Sequence, residues 1–424
     1  MAESLERAEQ LLRQLLTQKE LTSWNEQLTP DTTNLPEYRS DGLQQSSAAI
    51  KDLLTSVTSS EEAQRALGSD SDLSPYLNTI ENMVGTIQIP VGIAGPLRLR
   101  GTYAQGDFKV PLATHEAALV ASYHRGMRAV TEAGGATALL LNEGVPRVPC
   151  FTFSSTRDAA NFLAWLIPRE ETLRQTAEAT TRHGKLSELR LTVEGCHVYL
   201  HCHYTTGDAA GQNMVTLATQ AICDSIAQES PIPPKAVYVE SNLSGDKKAS
   251  AISFGGVRGK KVTCEVLLPA EVLKRRLKVS AAQMEDYWRV SAIGGVLSGS
   301  VGIQGHYANG LAALFIACGQ DAACVAEAAV GVTRFEKREE DALYACVTLP
   351  NLIVGTVGGG THLPSQQACL NILGLAGEGK ARAFAEVCAG VALAGELSII
   401  AAIATNRFTK AHEILARLRR RHTP

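Results

Sequence analysis

Glu116, Lys247, Asp321 and His412 are far apart in the chain, yet together they supply the side-chain types that carbonyl reduction needs. As hydride arrives, negative charge grows on the carbonyl oxygen, so the site needs a cation beside that oxygen and a group that delivers a proton. Lys247 stands in Glu240-Ser-Asn-Leu-Ser-Gly-Asp-Lys-Lys248, where small turn-forming residues and an acid precede adjacent lysines. The apolar run Ala249–Phe254 follows. Such a loop can carry an ammonium into a partly desolvated cleft, although adjacent lysines after a turn equally suit solvated surface. Glu116 closes Pro111-Leu-Ala-Thr-His-Glu116 and opens a helical run, with Thr114 as the expected cap. Asp321 follows Gly319-Gln320 at the end of the apolar run Leu311 to Cys318. His412 lies near the chain end beside Lys410.

Two small-residue segments could approach a phosphate closely. Thr206-Gly-Asp-Ala-Ala-Gly-Gln-Asn-Met214 is a turn running into a helix, whose N-terminus offers free N–H groups and partial positive charge. Thr356-Val-Gly-Gly-Gly-Thr361 precedes another helix at Pro364 and permits the same close backbone approach. Neither is a Gly-x-Gly-x-x-Gly turn after a strand, so a dinucleotide bound here would not use the doubly wound design. Thr180-Thr-Arg-His-Gly-Lys185 places cations on a loop. Arg182 there could pair with a 2′-phosphate, which favours NADP over NAD.

The elements that must position these residues follow from pattern and composition. At 424 residues, 45% hydrophobic and 20% charged, the chain is expected to form a globular protein of two or three domains. A net charge of −3 offers no field for nucleic acid or an anionic membrane. Ten cysteines without a repeated spacing read as reduced thiols in a cytoplasmic protein. His201-Cys-His203 reads as part of a strand, not as a metal site. Val387 to Ala404 is barely long enough to span a bilayer and carries Glu396, so it reads as a buried core helix. Ala8, Leu11, Leu12 and Leu15 predict an amphipathic first helix, and residues 22–48 a polar arm. Strand and helix patterns mix between residues 148 and 239, which suggests a small α+β unit inserted into a larger one. After Lys248 the pattern is mostly helical.

Several ordered motifs resemble one family. Glu81-Asn-Met-Val-Gly85, Pro90-Val-Gly-Ile-Ala-Gly-Pro96, Val110-Pro-Leu-Ala-Thr-His-Glu116, Asp246-Lys-Lys248, Gly319-Gln-Asp-Ala-Ala323 and Gly355-Thr-Val-Gly-Gly-Gly-Thr361 together resemble 3-hydroxy-3-methylglutaryl-CoA (HMG-CoA) reductase, in its class I, soluble prokaryotic form. The resemblance implies NADPH-dependent reduction of HMG-CoA to mevalonate and CoA. It also implies a homodimer whose active sites draw on both subunits, with assembly to a tetramer left open. The implied fold is α+β: a small N-terminal helical region over residues 1–60, a helix-rich large domain over 61–147 and 240–404, and a ferredoxin-like NADP-binding insert over 148–239. A C-terminal flap over 405–424 would carry His412.

By the same resemblance, Lys247 would stabilise the oxyanion, Glu116 would protonate the aldehyde oxygen, and Asp321 would link the two. His412 would protonate the departing thiolate, and Asn309 would join the network around Glu116 and Asp321. Arg147, Asp246 and Lys248 would hold the substrate carboxylate. Ser122, Arg125 and Arg128 would lie along CoA. Thr181, Arg182, Asp208, Gly211, Asn213, Met214, Gly358, Gly359 and Gly360 would serve the cofactor. Two departures stand out. Glu240 occupies a place where the family usually has a serine, so it would repel the substrate carboxylate unless it turns away or Arg147 and Lys248 neutralise it; Ser241 could then take over the contact. Leu418 stands where animal and plant members carry a regulatory serine. Two alternatives remain at this point: the reverse, NAD-dependent reaction, which Arg182 disfavours, and a non-catalytic binder of CoA esters, which the presence of all four catalytic side chains disfavours.

Overall fold

The computed structural model describes residues 46–67, 73–77 and 79–406. The expected first helix, the flap and His412 lie outside the described residues. Packing divides the chain into two compact units, Met1–Ile87 and Gln88–Pro424. In the first, α1 (Ser47–Val57) is capped by Ser46, whose hydroxyl accepts from the Ala49 N–H, and α2 (Glu61–Leu67) carries two acids in its first turn. Ile50, Leu73 and Met83 form its small core.

The second unit begins with the antiparallel hairpin β1 (Val91–Arg100) and β2 (Gln105–Ala113), followed by α3 (Leu119–Glu132) and β3 (Thr137–Arg147). Next come β4 (Cys150–Thr152), α4 (Thr156–Leu166), α5 (Glu170–Glu178), β5 (Lys185–Glu194), β6 (His197–Thr205), α6 (Gln212–Glu229) and β7 (Ala236–Tyr238). The remainder holds β8 (Gly259–Leu268), α7 (Ala281–Ser298), β9 (Gly302–Ile303), α8 (Tyr307–Ala317), β10 (Gly331–Lys337), β11 (Leu343–Leu352), α9 (Pro364–Leu373) and α10 (Ala381–Ala404). A mixed sheet runs in the order β7-β4-β6-β3-β8-β11-β10-β9, with β5 on β6. Strand β3 joins its halves, pairing β8 along most of its length and β6 at Val145–Arg147. The fold is thus α+β.

The segment after Lys248 differs from its mostly helical expectation. Val262, Cys264, Val266 and Leu268 of β8 are buried in alternation, as are Leu343, Ala345, Val347 and Leu349 of β11. This is the period-two pattern of strands with one face in the core. The α3 helix also starts later than expected. Ala118 adopts a left-handed φ of 73° ahead of Leu119, so Glu116 lies in the preceding turn. There the Thr114 hydroxyl accepts from the Glu116 N–H at 2.9 Å instead of capping a helix.

Helix α10 organises the core. It is apolar on all sides, as a helix enclosed by protein must be, and 78% of its most apolar stretch is buried. Two fully buried carboxylates pin it. Glu386 accepts backbone N–H bonds from Thr102, Tyr103, Ala104 and Leu140. Glu396 accepts from the Gly305 and His306 N–H groups and from the Thr333 hydroxyl. These bonds replace the hydration each carboxylate loses on burial.

Candidate active site

The loop after β7 presents Lys247 in a left-handed conformation, φ 54°. Its ammonium lies 2.9 Å from Asp321 Oδ2, with both side chains just under half exposed. The hydrogen bond to Asp321 holds the Lys247 ammonium above its ordinary pKa against a smaller opposing effect of burial. Partial burial pushes the Asp321 carboxyl up, but the bond from Lys247, the Ala323 N–H and the Lys247 charge outweigh it and leave it lowered. The Ala323 N–H donates to Asp321 Oδ1 at 2.9 Å, which fixes the carboxylate at the start of a 3-10 turn.

Behind Lys247 the loop is tied to β3. Arg147 Nη1 donates to Glu240 Oε2 at 2.9 Å and to Asp246 Oδ2 at 3.0 Å. Asp246 also pairs with the buried Arg258, which in turn meets Glu327. Burial pushes the Glu327 carboxyl up although Arg258 opposes it. Lys248 turns back to the Asp246 carbonyl at 2.7 Å and so does not neutralise Glu240. Ser241 donates to the Val148 carbonyl at 2.7 Å.

Asp321 also lines a cavity of about 610 Å³ with Gly211, Asn213, Met214 and Gly358–Gly360. Backbone contacts build it. Gln320 brackets Gly355, accepting from its N–H at 2.8 Å and donating to its carbonyl at 2.9 Å. The Thr356 N–H donates to the Asp208 carbonyl at 2.9 Å. Gly319 has φ +68°, and a Cβ there would fall 2.4 Å from the Gly360 carbonyl oxygen, so only glycine lets the two loops touch. Gly211, at φ 79°, opens α6 toward the cavity. The exposed turn holding Arg182 is fastened to this wall, because the Thr181 hydroxyl donates to Met214 Sδ at 3.1 Å. Asp208 is committed elsewhere: its carboxylate accepts the Gly379 and Ala381 N–H groups at the start of α10.

A second cavity, about 570 Å³, holds Glu116, Ser122, Arg125, His306 and Asn309 beside Ile399 and Ile403 of α10. Asn309 Nδ2 donates to Glu116 at 3.2 Å. Ser122 Oγ lies 2.9 Å from Ser398 Oγ, and Arg125 donates to the Ser398 hydroxyl and carbonyl. His306 stacks on Tyr123 with ring centroids 5.5 Å apart and has Nδ1 3.4 Å from Glu396. Arg128 lies outside this cavity and faces Glu132 at 3.6 Å.

The predicted residues thus fall into two groups, Lys247 with Asp321 at one cavity and Glu116 with Asn309 at the other. Among the described residues no hydrogen bond joins the groups within one chain. Sequence reasoning passed over Arg258, Glu327, Gln320, His306, Glu396 and Ser398 as parts of the site. A charged or hydroxylated residue inside an otherwise apolar helix was the available signal for Glu396 and Ser398, because such a group is retained where it meets a partner.

A family model described as hydroxymethylglutaryl-coenzyme A reductase matches residues 45–417. The chain is 43% identical over 343 residues to 3-hydroxy-3-methylglutaryl-coenzyme A reductase of Methanocaldococcus jannaschii, covering 80% of this chain and 84% of that protein. It is 42% identical over 362 residues to the protein of the same name from Halobacterium salinarum, covering 84% and 88%. The fold is similar to the class II 3-hydroxy-3-methylglutaryl-CoA reductase of Streptococcus pneumoniae bound to NADPH. That likeness has a TM-score of 0.63 at 19% identity, covers 86% of this chain and 99% of the other, and speaks for the fold alone.

Proposed function

We propose, because this chain belongs to the hydroxymethylglutaryl-coenzyme A reductase family, that it reduces (S)-HMG-CoA to (R)-mevalonate and CoA in the mevalonate route to isoprenoids. The observation that carries the proposal is the Lys247–Asp321 pair, 2.9 Å apart at the edge of a glycine-walled cavity. An ammonium held charged by a fixed carboxylate is the group needed where a carbonyl oxygen gains negative charge.

The cavity suits NADPH. Its walls are close-approaching backbone and the N-terminus of α6, and Arg182, tethered through Thr181 and Met214, offers a partner for a 2′-phosphate. When bound, NADPH supplies the hydride for each of two successive reductions. Lys247 stabilises the oxygen that becomes negative in each. Glu116, oriented by Asn309, delivers the proton to the oxygen of the aldehyde as it becomes the alcohol of mevalonate. CoA leaves as a thiolate, and His412 protonates it. Ile399 and Ile403 line the Glu116 cavity and α10 ends at Ala404, eight residues before His412, so the tether starts at the cavity wall. Ser122 and Arg125 face the same cavity as contacts for CoA, and Arg147 and Lys248 take the substrate carboxylate, with Asp246 pairing Arg147 and Arg258.

The complete site is assembled in a homodimer, with the Glu116 cavity of one subunit facing the Lys247 loop of the other. The separation of the two groups within one chain supports this. So does the outer face of α7, where Val290, Ile293, Val296 and Leu297 are exposed together. The insert over residues 148–239 is read as ferredoxin-like; its strands lie in the order β7-β4-β6-β5 with every neighbouring pair antiparallel. The enzyme is assigned to the cytoplasm.

Purified protein given HMG-CoA tests this reading. Oxidation of NADPH well above that of NADH, with mevalonate and free thiol as products, is expected. Silence with both cofactors would reject the reaction, and preference for NADH would reject the role of Arg182.

A further inference from the structure

Arg147 closes β3 with 6% of its side chain exposed, and a single nitrogen, Nη1, serves both Glu240 and Asp246. Its Nε is buried with no partner among the described residues. The guanidinium is therefore incompletely used: five N–H donors are available, and both carboxylate contacts come from the two on Nη1. Asp246 has a second cation in Arg258, and Arg258 is shared with Glu327. Two arginines thus face three carboxylates. Without Glu240 the remaining charges balance, so Glu240 is the acid the cluster does not need. It is also the most exposed of the three, at 23% against 18% for Asp246 and 1% for Glu327.

Glu240 does more than touch Arg147. Its Oε1 accepts from the Asn242 N–H at 2.7 Å and the Ser244 hydroxyl at 3.0 Å, which closes the first turn of the loop that carries Lys247. Asn242 and Gly245 in that loop both have left-handed φ, 65° and 74°. Glu240 thereby couples the cation of β3 to the conformation of the lysine loop.

We infer that Glu240 is an internal occupant of the seat for the substrate's free carboxylate. Arg147 holds Glu240 and exchanges it for the carboxylate at the far end of the acyl chain. The inference rests on the function proposed above, in which that carboxylate goes to Arg147. Glu240 and the acyl carboxylate are chemically alike toward a guanidinium, both planar and acceptor-only, so they compete for one set of donors. An occupant on the protein's own loop lowers the apparent affinity by the fraction of molecules in which it is seated. Glu240 therefore sets the affinity for the acyl group and selects for acyl chains that end in a carboxylate able to displace it.

Glu240→Gln keeps the size and the acceptor for Asn242 but removes the charge. The test compares wild-type and E240Q protein by calorimetry with glutarate and with its diamide, which has no carboxylate, and by the KM for HMG-CoA. Glutarate is expected to bind E240Q about tenfold more tightly, the diamide to show no such gain, and KM to fall by more than kcat changes. Equal glutarate affinity in the two proteins, or a higher KM in E240Q, would overturn the inference. If E240Q does not fold, E240D serves instead: it withdraws the same charge by one methylene, and tighter glutarate binding is again required. Tighter binding of glutarate by a protein that turns over no HMG-CoA would uphold the seat and reject the reaction, so the two failures are distinguishable.

Discussion

The cavity at Asp321 is built from backbone, whereas the cavity at Glu116 is built from side chains resting on a helix. In the first, Gly211, Gly319 and Gly358–Gly360 bring loops together where a Cβ would strain the chain or block the approach. In the second, His306, Arg125 and Ser122 depend on Glu396 and Ser398, which project from the buried face of α10. The backbone wall suits a ligand recognised by phosphates and shape. The side-chain wall suits placement of a proton donor. Each is stabilised by what the other lacks, so substitutions should separate them.

The largest effect should come from Lys247→Ala. Removing the cation proposed to stabilise the developing oxyanion should lower kcat by about 10²–10³-fold. The lysine is substantially exposed, so the melting temperature should stay close to that of the wild type. A variant with near wild-type turnover would break the assignment of chemistry to the Asp321 side. Glu396→Ala should do the opposite, since it leaves the Gly305 and His306 N–H groups and the Thr333 hydroxyl without their buried acceptor. A loss of about 3 kcal/mol or more in denaturant unfolding is expected. Gly319→Ala should be intermediate, costing about 1–3 kcal/mol through its positive φ and weakening NADPH more than HMG-CoA. Equal weakening of both ligands would blur the division between the cavities.

The same contrast explains what could be read from the sequence. Glycine runs permit close backbone approach, so Gly211 and Gly358–Gly360 were legible from local residues alone as places where segments of backbone come together. Lys247 and Asp321 are far apart in sequence, and no periodicity predicts their 2.9 Å contact; only the resemblance to a family placed them together. The alternation in β8 and β11 was present in the sequence, but short apolar runs suit a helix or a strand until a pairing partner is known. Glu396 was visible as an acid in an apolar helix, yet what it holds, the turn at Gly305 and His306, comes from a distant part of the chain. The separation of Glu116 from Asp321 was invisible, because it is a property of the folded subunit.

The Lys247–Asp321 pair also predicts a pH signature on one side of the comparison. Asp321 is lowered on folding, so its contribution to stability is present above its unfolded pKa and lost as pH falls through the folded value. Lys247 is raised, so its contribution is present below its unfolded pKa and lost as pH rises through the folded value. The pair should therefore be intact from mildly acidic to mildly alkaline pH. Asp321→Asn should move the alkaline limb of the kcat profile to lower pH by removing the partner that raises Lys247. An unmoved limb would mean that another group sets it.

The smallest effect should come from Arg128→Ala. Arg128 lies outside the Glu116 cavity and faces Glu132 at 3.6 Å across one helical turn, with 42% of its side chain exposed. Such a pair contributes less than about 0.5 kcal/mol, so the melting temperature should barely change. Glu132 also keeps Arg275 and Arg276 as partners, which removes any cost of leaving it unpaired. If Arg128 touches a phosphate of CoA, KM for the CoA ester should rise a few-fold at low salt, and the difference should shrink as ionic strength increases, because an exposed contact is screened. A KM unchanged at every salt concentration would confine CoA recognition on α3 to Ser122 and Arg125, the two residues that α10 holds in place.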